Sequence, residues 1–439
     1  MSHVPDDRLS GAGDVPFGWR HGVAFGLLFL SLVSDGFDLQ AVGFAAPGMV
    51  RDWGVTRAAL GPALSAGLVG VLVGAPLLGW VGDRFGRKRA ILLGSVFYGT
   101  FCLLCAGAGS IDQLIALRFL TGIGLGGVLP NVIALTAETA PSRVRPFLTA
   151  LVTVGISLGG VTVGLVAAVI VPLEGWRALF VIGGVVPLVV AALVAIGLPE
   201  SPAFLARKRG EALPPSPAEP REASGSIFAG QFKTITPIIW LLFAGLLMSI
   251  YLLTSWLPLV LENGGMSASG AAIMNTMLQF GGVIGGIGAS LLIGRIGLPL
   301  IAMLVGGALV VVTFLAMVPV PDVALAAVLG LCGICVIGGQ TAINASAGLI
   351  YPPAMRAKGV GFALGIGRLG SIIGPLVGGL VIGLGTGAQS LFLGPLLPLG
   401  IAFVASILLI RRCSITVARP ATASTGTSEP ASVLPAGKR

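Results

Sequence analysis

Twelve apolar stretches, each long enough to cross a bilayer as a helix, decide most of what this chain can become. They run over residues 21–47, 57–81, 89–109, 112–138, 145–171, 176–198, 235–261, 267–293, 298–318, 322–350, 357–384 and 389–410, and charge, Pro or Gly ends each one. At about 1.5 Å of rise per residue, about 20 residues span the hydrocarbon core. The stretches lack the alternation of a membrane barrel and exceed the length of its strands, so helices remain the way to satisfy every backbone polar group in lipid. Composition agrees: 55% of the 439 residues are hydrophobic and only 10% are charged, too few to cover a water-soluble domain. The expected fold class is an all-α polytopic membrane protein.

Basic residues set the orientation. Most of the 26 lysines and arginines fall on one side: Arg8 and Arg20, the 83–89 loop, Arg143 and Arg145, the 207–233 stretch, Arg295, Arg356 and Lys358, and the tail from Arg411. Both termini are therefore expected in the cytoplasm. The net charge of +9 is this same bias, and no nucleic-acid partner is needed to explain it. Residues 1–20 lack the basic start, apolar core and cleavage site of a signal peptide and read as a cytoplasmic segment. Residues 199–234, rich in Pro, Ser and Glu, read as a mobile linker after a short interfacial turn, and residues 411–439 as a disordered tail. They bound two helical bundles, 21–198 and 235–410.

Six stretches on each side of the linker suggest an internal repeat. A shift of 211 residues carries Arg84 onto Arg295, Gly86 onto Gly297, Pro141 onto Pro352 and Arg145 onto Arg356, so one offset aligns two separate loops. Duplicated halves hold their substrate between them near the midplane. The same shift sets Asp83 on Gly294, Asp35 on Leu246, Asp38 on Ser249 and Arg118 on Leu329. The halves have diverged in chemistry.

The stretch GWVGDRFGRKRA, Gly79–Ala90, resembles the cytoplasmic loop motif of the major facilitator superfamily, and RFLTGIGLGG, Arg118–Gly127, resembles its fourth-helix motif. PNVIALTAETAPSRVR and LPESPAF extend the match. DGFDLQ in the first stretch and RAKGVGFALGIGRLGSIIGP in the eleventh are similar to the aromatic acid:proton symporters, of the hydroxyphenylpropionate and hydroxybenzoate permease type. The resemblance implies two pseudo-symmetric six-helix bundles in the lipid bilayer, no cofactor, protons and a small aromatic carboxylate as partners, and a monomer. It also implies a cytoplasmic gate. There Asp83 pairs across to the other half in the outward-facing state, Arg84, Gly86 and Arg87 belong to the loop, and Glu138, Arg143, Arg145 and Glu200 resemble a charge relay. Topology alone is the other reading of the loop's basic residues, which suit an anionic inner leaflet.

Two acids interrupt the first stretch, in SDGFDLQ, Ser34–Gln40. A carboxylate at the bilayer centre costs about 2.5–3.5 kcal/mol, so Asp35 and Asp38 are expected to face inward. Three residues apart, they share one side of a helix and do not both ionise easily. By rise per residue, Asp38 stands about 25 Å from the inner end of its helix, and Arg118 about 9 Å from the outer end of the fourth. These levels agree, and the resemblance sets the first and fourth helices together, so Arg118 is expected to pair with Asp38 or Asp35. The other aspartate can then take and release a proton, making a site neutral when loaded and charged when empty. Asp35 is the favoured carrier and Asp38 the favoured partner. Alternatively, the trio only locks helices together.

Arg368 is the second expensive charge, about 15 Å above Lys358 and close to midplane. No acid of the C-terminal half matches its depth, and its guanidinium suits a carboxylate bidentately. It is the expected substrate anchor, with a salt bridge to the aspartates as the alternative. Phe37, Tyr251 and Trp256 are candidate ring contacts, Trp256 the weakest. Asn275 with Gln279, and Gln340 with Asn344, are candidate polar contacts, each pair sharing a helix face. The CxxC pairs Cys102/Cys105 and Cys332/Cys335 lie in apolar helices and read as packing. The only two histidines, His3 and His21, offer no metal site and no catalytic triad, so no enzyme is expected. The reading is a proton-coupled importer of a small aromatic carboxylate. Its alternatives are a transporter of another organic anion or sugar acid, a membrane sensor of aromatic acids, and an exporter.

Overall fold

The computed structural model describes residues 18–141, 144–210, 226–383 and 390–413. In the first half, α1 (Trp19–Trp53), α2 (Leu60–Phe85), α3 (Arg87–Ala106), α4 (Ile111–Thr139), α5 (Arg145–Glu174) and α6 (Arg177–Gly197) precede the short α7 (Pro202–Lys208). The second half holds α8 (Phe232–Asn263), α9 (Ala268–Ile296), α10 (Pro299–Met317), α11 (Asp322–Ile350), α12 (Pro353–Gly383), α13 (Ser390–Leu393) and α14 (Leu396–Arg412). Twelve of the described helical segments are long and apolar enough to cross a membrane, the twelfth made by α13 and α14 together. The expected all-α, twelve-span fold is observed. Several helices outrun their apolar stretches: α1 continues through Pro47 to Trp53, α2 to Phe85, and α12 begins at Pro353, while the turn after α6 is a seven-residue helix. Proline is tolerated inside a membrane helix because neighbouring helices can satisfy the freed carbonyl.

The 211-residue repeat is visible in backbone detail. Gly86 and Gly297 end α2 and α9 at φ of 111° and 71°, a conformation that disfavours any side chain. Arg145 Nε donates to the Ala140 carbonyl at 3.3 Å, and Arg356 Nε to the Tyr351 carbonyl at 3.4 Å. Gly159 of α5 lies against the Val33 carbonyl of α1, and Gly370 of α12 against the Ala244 carbonyl of α8. Each relation maps onto the other under the same shift. Small residues do this work because lipid supplies no hydrophobic drive, so helices associate through close backbone approach.

The two bundles meet at the face opposite the termini. Arg51 Nη1 of α1 binds Glu262 Oε2 of α8 at 2.7 Å, Ser65 Oγ of α2 donates to the Ile372 carbonyl of α12 at 2.8 Å, and Ser269 Oγ of α9 to the Ala168 carbonyl of α5 at 2.7 Å. One face of α12 carries Gly379, Leu376, Ile372, Arg368, Gly365 and Gly361 at helical spacing. A Cβ on Gly379 would stand 3.3 Å from the Ala58 carbonyl, and one on Gly61 of α2 would stand 3.4 Å from Leu376 Cα. At Gly365 and Gly361 it would meet nothing within 4 Å. The halves part below Arg368, toward the face that carries the termini.

Candidate functional site

Contact between α1 and α4 brings Asp38 and Arg118 together. Arg118 Nη1 lies 2.9 Å from both carboxylate oxygens of Asp38, and Nη2 donates to the Asp38 carbonyl at 3.3 Å. Both side chains are buried, 2% and 0% exposed. The guanidinium lies 5.9 Å from the Phe180 ring centroid, and the absence of a side chain at Gly67 leaves room for Nη2. Burying such a pair costs several kcal/mol of solvation per ion, so only close, multiply bonded geometry sustains it. Of Cys102 and Cys105, which the sequence reading treated as packing, Cys105 has its Sγ 4.0 Å from Thr121 Oγ1, one turn from Arg118 on α4. Cys102 Sγ bonds the Phe180 carbonyl at 3.4 Å.

Asp35, one turn earlier on α1, is buried, and its Oδ1 has no hydrogen-bond partner among the described residues. Beside it Ser34 and Tyr98 share a hydroxyl–hydroxyl bond of 2.9 Å, a contact with α3 that no sequence signal announced. Gly36 lies against the backbone of Ile156 on α5, so α1 is wedged where it carries its acids. From the other bundle, half-buried Arg368 is within electrostatic reach of Asp35 and of Tyr251. Arg368 makes no ion pair within 4.0 Å among the described residues.

The remaining candidates separate. Phe37 is buried in a cluster with Phe44, Val163 and Leu179 that also takes in Ala272 of α9. Trp256 is fully buried, and its Nε1 donates to the Pro375 carbonyl at 3.0 Å, tying α8 to α12. Tyr251 is within electrostatic reach of Arg368. Asn275 Nδ2 donates to the Thr254 carbonyl at 3.2 Å while its Oδ1 is unpartnered, and Gln279 lies against Gly160 in the α5–α9 seam. Gln340 Nε2 donates to Asn344 Oδ1 at 3.0 Å, and Gln340 Oε1 is buried without a partner among the described residues. Asn344 is exposed.

At the face with the termini, the loop acids stay within the first bundle. Asp83 binds Arg87 at 2.5 Å, Arg87 reaches Glu138 at 3.6 Å and Asn131 at 3.5 Å, and Ser201 Oγ bonds Glu138. Glu200 accepts from the backbone N–H of Lys88 at 3.0 Å and of Ser201 at 2.9 Å. A side chain at Gly86 would collide with the Glu200 carboxylate. Arg84 lies over the Trp80 ring, 5.5 Å from its centroid. Arg143 lies outside the described residues. At the opposite face, sequence reasoning missed the Arg51–Glu262 bridge and the Asp52 carboxylate, which accepts from Trp176 Nε1 at 2.8 Å and Arg177 at 2.6 Å. The repeat itself held one signal, for Arg51 and Glu262 are 211 residues apart.

Twelve spans in two related bundles, closed at one face and enclosing buried charge at their junction, define a polytopic membrane transporter. Residues 28–345 match the family model described as Major Facilitator Superfamily, and the chain belongs to that superfamily. It is 36% identical to the 4-hydroxybenzoate transporter PcaK of Pseudomonas aeruginosa, covering 90% of this chain and 92% of that protein. It is also 36% identical to the 3-(3-hydroxy-phenyl)propionate transporter of Escherichia coli, covering 83% and 88%. A crystal structure of a D-xylose-proton symporter matches at a TM-score of 0.69 and 15% identity, covering 88% of this chain and 97% of that one.

Proposed function

We propose that this chain imports a small aromatic carboxylate of the hydroxybenzoate, protocatechuate or hydroxyphenylpropionate class together with protons, by alternating access. Its membrane is the bacterial inner membrane, with both termini in the cytoplasm. One observation carries the reading: Asp35 is buried with an oxygen unpartnered among the described residues, while one turn on Asp38 and Arg118 satisfy each other, and Arg368 of the other bundle, within electrostatic reach of Asp35, has no ion-pair partner among the described residues. The relatives named for 4-hydroxybenzoate and 3-(3-hydroxy-phenyl)propionate transport support the substrate class.

In this reading Arg118 is occupied by Asp38, and Arg368 offers its planar fork to the substrate carboxylate. Counting Arg368 changes the charge logic expected from the aspartates alone. In the empty site, ionised Asp35 and Arg368 offset one another. A substrate carboxylate that takes Arg368 cancels the cation that offset Asp35 and adds a like charge beside it, so Asp35 binds a proton. Both the empty and the fully loaded sites are then neutral. Substrate alone or a proton alone leaves a net charge at midplane, which lipid penalises. Only complete loading or complete release permits reorientation, and that couples the two fluxes. Tyr251 contacts the ring and Gln340 and Asn344 its polar substituents, while the seam residues Asn275 and Gln279 engage as the bundles close. Asp83, Arg87, Glu138 and Glu200 exchange partners at the cytoplasmic gate, with 199–234 linking two moving bodies, 21–198 and 235–410.

The test is uptake of labelled 4-hydroxybenzoate, protocatechuate and hydroxyphenylpropionate into proteoliposomes, with and without an imposed pH gradient. Asp35→Asn is expected to lose gradient-driven accumulation while retaining exchange, and Arg368→Ala to weaken uptake of all three acids. Wild-type accumulation by Asp35→Asn removes it as the carrier. A wild-type protein indifferent to the gradient removes proton coupling.

A further inference from the structure

A second charged cleft lies away from the central site, at the face that carries the termini. The short helix α7 is pinned there by three contacts. Its cap Ser201 accepts from Phe204 N at 3.1 Å and bonds Glu138 of α4, while the preceding Glu200 holds the first turn of α3 through Lys88 N. Fixed in this way, α7 presents Phe204, Arg207 and Lys208, at i, i+3 and i+4, to Trp80, Asp83, Arg84, Phe85 and Arg89. Together they line a cleft of about 620 Å³. Its one carboxylate, Asp83, is bound to Arg87 at 2.5 Å, outside the lining. Among the described residues the four cations Arg84, Arg89, Arg207 and Lys208 converge there without an ion-pair partner. The aromatic side is half open to the bilayer: Trp80 is 54% exposed and Phe85 44%, and the Arg84 guanidinium is spread over both rings.

We propose that this cleft binds the phosphodiester headgroup of one anionic phospholipid, phosphatidylglycerol or a lipid of the same charge. Its acyl chains lie along Trp80 and Phe85. Guanidinium groups match phosphate oxygens bidentately, and aromatic rings favour the interface where headgroup meets chain. The convergence of residues from α2, α3 and α7 makes this a site with a defined occupant, more than the general pull of basic residues on an anionic leaflet. The proposal does not depend on which substrate the transporter carries.

Native mass spectrometry of the full chain, delipidated and titrated with phosphatidylglycerol or phosphatidylcholine, tests it. The wild type is expected to retain one phosphatidylglycerol in preference to phosphatidylcholine, and millimolar inorganic phosphate should not displace it. The double variant Arg207→Gln/Lys208→Gln is expected to lower that affinity about 30-fold, the loss of two basic contacts to an anionic lipid. Arg411→Gln/Arg412→Gln, at the same membrane face on α14, should leave it unchanged. Equal binding of the two lipids, an unaltered α7 variant, or an equal loss in the α14 control overturns the site. Displacement by free phosphate assigns the cleft to a soluble anion and overturns the lipid.

Discussion

At the scale of single residues, the two aspartates of α1 differ by what stands opposite them. Asp38 accepts three contacts from Arg118 counting its own carbonyl, whereas Asp35 keeps an oxygen unpaired. Removing one member of a buried pair leaves the other charge stranded, so Asp38→Ala is expected to destabilise the protein by about 3–5 kcal/mol. A thermal melt in detergent reads this as a lowered Tm, and Asp38→Asn combined with Arg118→Gln should recover part of the loss. Melting of Asp38→Ala at the wild-type temperature would refute a stabilising pair. Spacing alone set both acids on one side of α1, and depth matching brought Arg118 to their level. The rotation of α1 against α4, which chooses between them, is fixed by side-chain packing and is silent in a single sequence. So is Tyr98, which reaches Ser34 across 64 residues of chain.

At the scale of elements, glycine decides how closely helices cross. A Cβ on Gly159 would strike the Val33 carbonyl and crowd the Gly36 and Phe37 backbone. Gly159→Val is thus expected to part α5 from α1 and cost at least about 1–3 kcal/mol, as overpacking does, with a matching fall in Tm. Gly288 on α9 meets nothing within 4 Å, and Gly288→Ala should raise Tm slightly by favouring helix. Equal behaviour of the two variants would sink this account. With 68 glycines in the chain, composition does not say which glycine meets a neighbouring backbone. The interfacial helix α7 was legible only as a turn, for its helical form depends on the Ser201 cap and its tether to Glu138.

At the scale of the whole molecule, the bundles are joined opposite the termini and separate toward them. Arg51–Glu262 is one latch of that seal, with the arginine 60% exposed, so it contributes at most about 1 kcal/mol. Arg51→Gln should shift the conformational balance about fivefold toward opening at that face. Distances between spin labels on the ends of α1 and α8 measure it, with a larger long-distance fraction expected. An unchanged distribution would show that the helix contacts alone hold the face closed.

The sequence by itself determined the number of spans, the repeat, the family, and which side chains are too costly to leave in lipid. Those follow from hydropathy, charge placement and a fixed offset, all properties of order along the chain. Only the tertiary structure decided that Asp38 and not Asp35 takes Arg118, that Phe37 packs against Phe44 and Leu179 while Trp256 ties α8 to α12, and that α7 closes a basic cleft. Each of these depends on helix rotation and on contacts between residues far apart in sequence, where packing and backbone approach act and local pattern carries no record of the outcome.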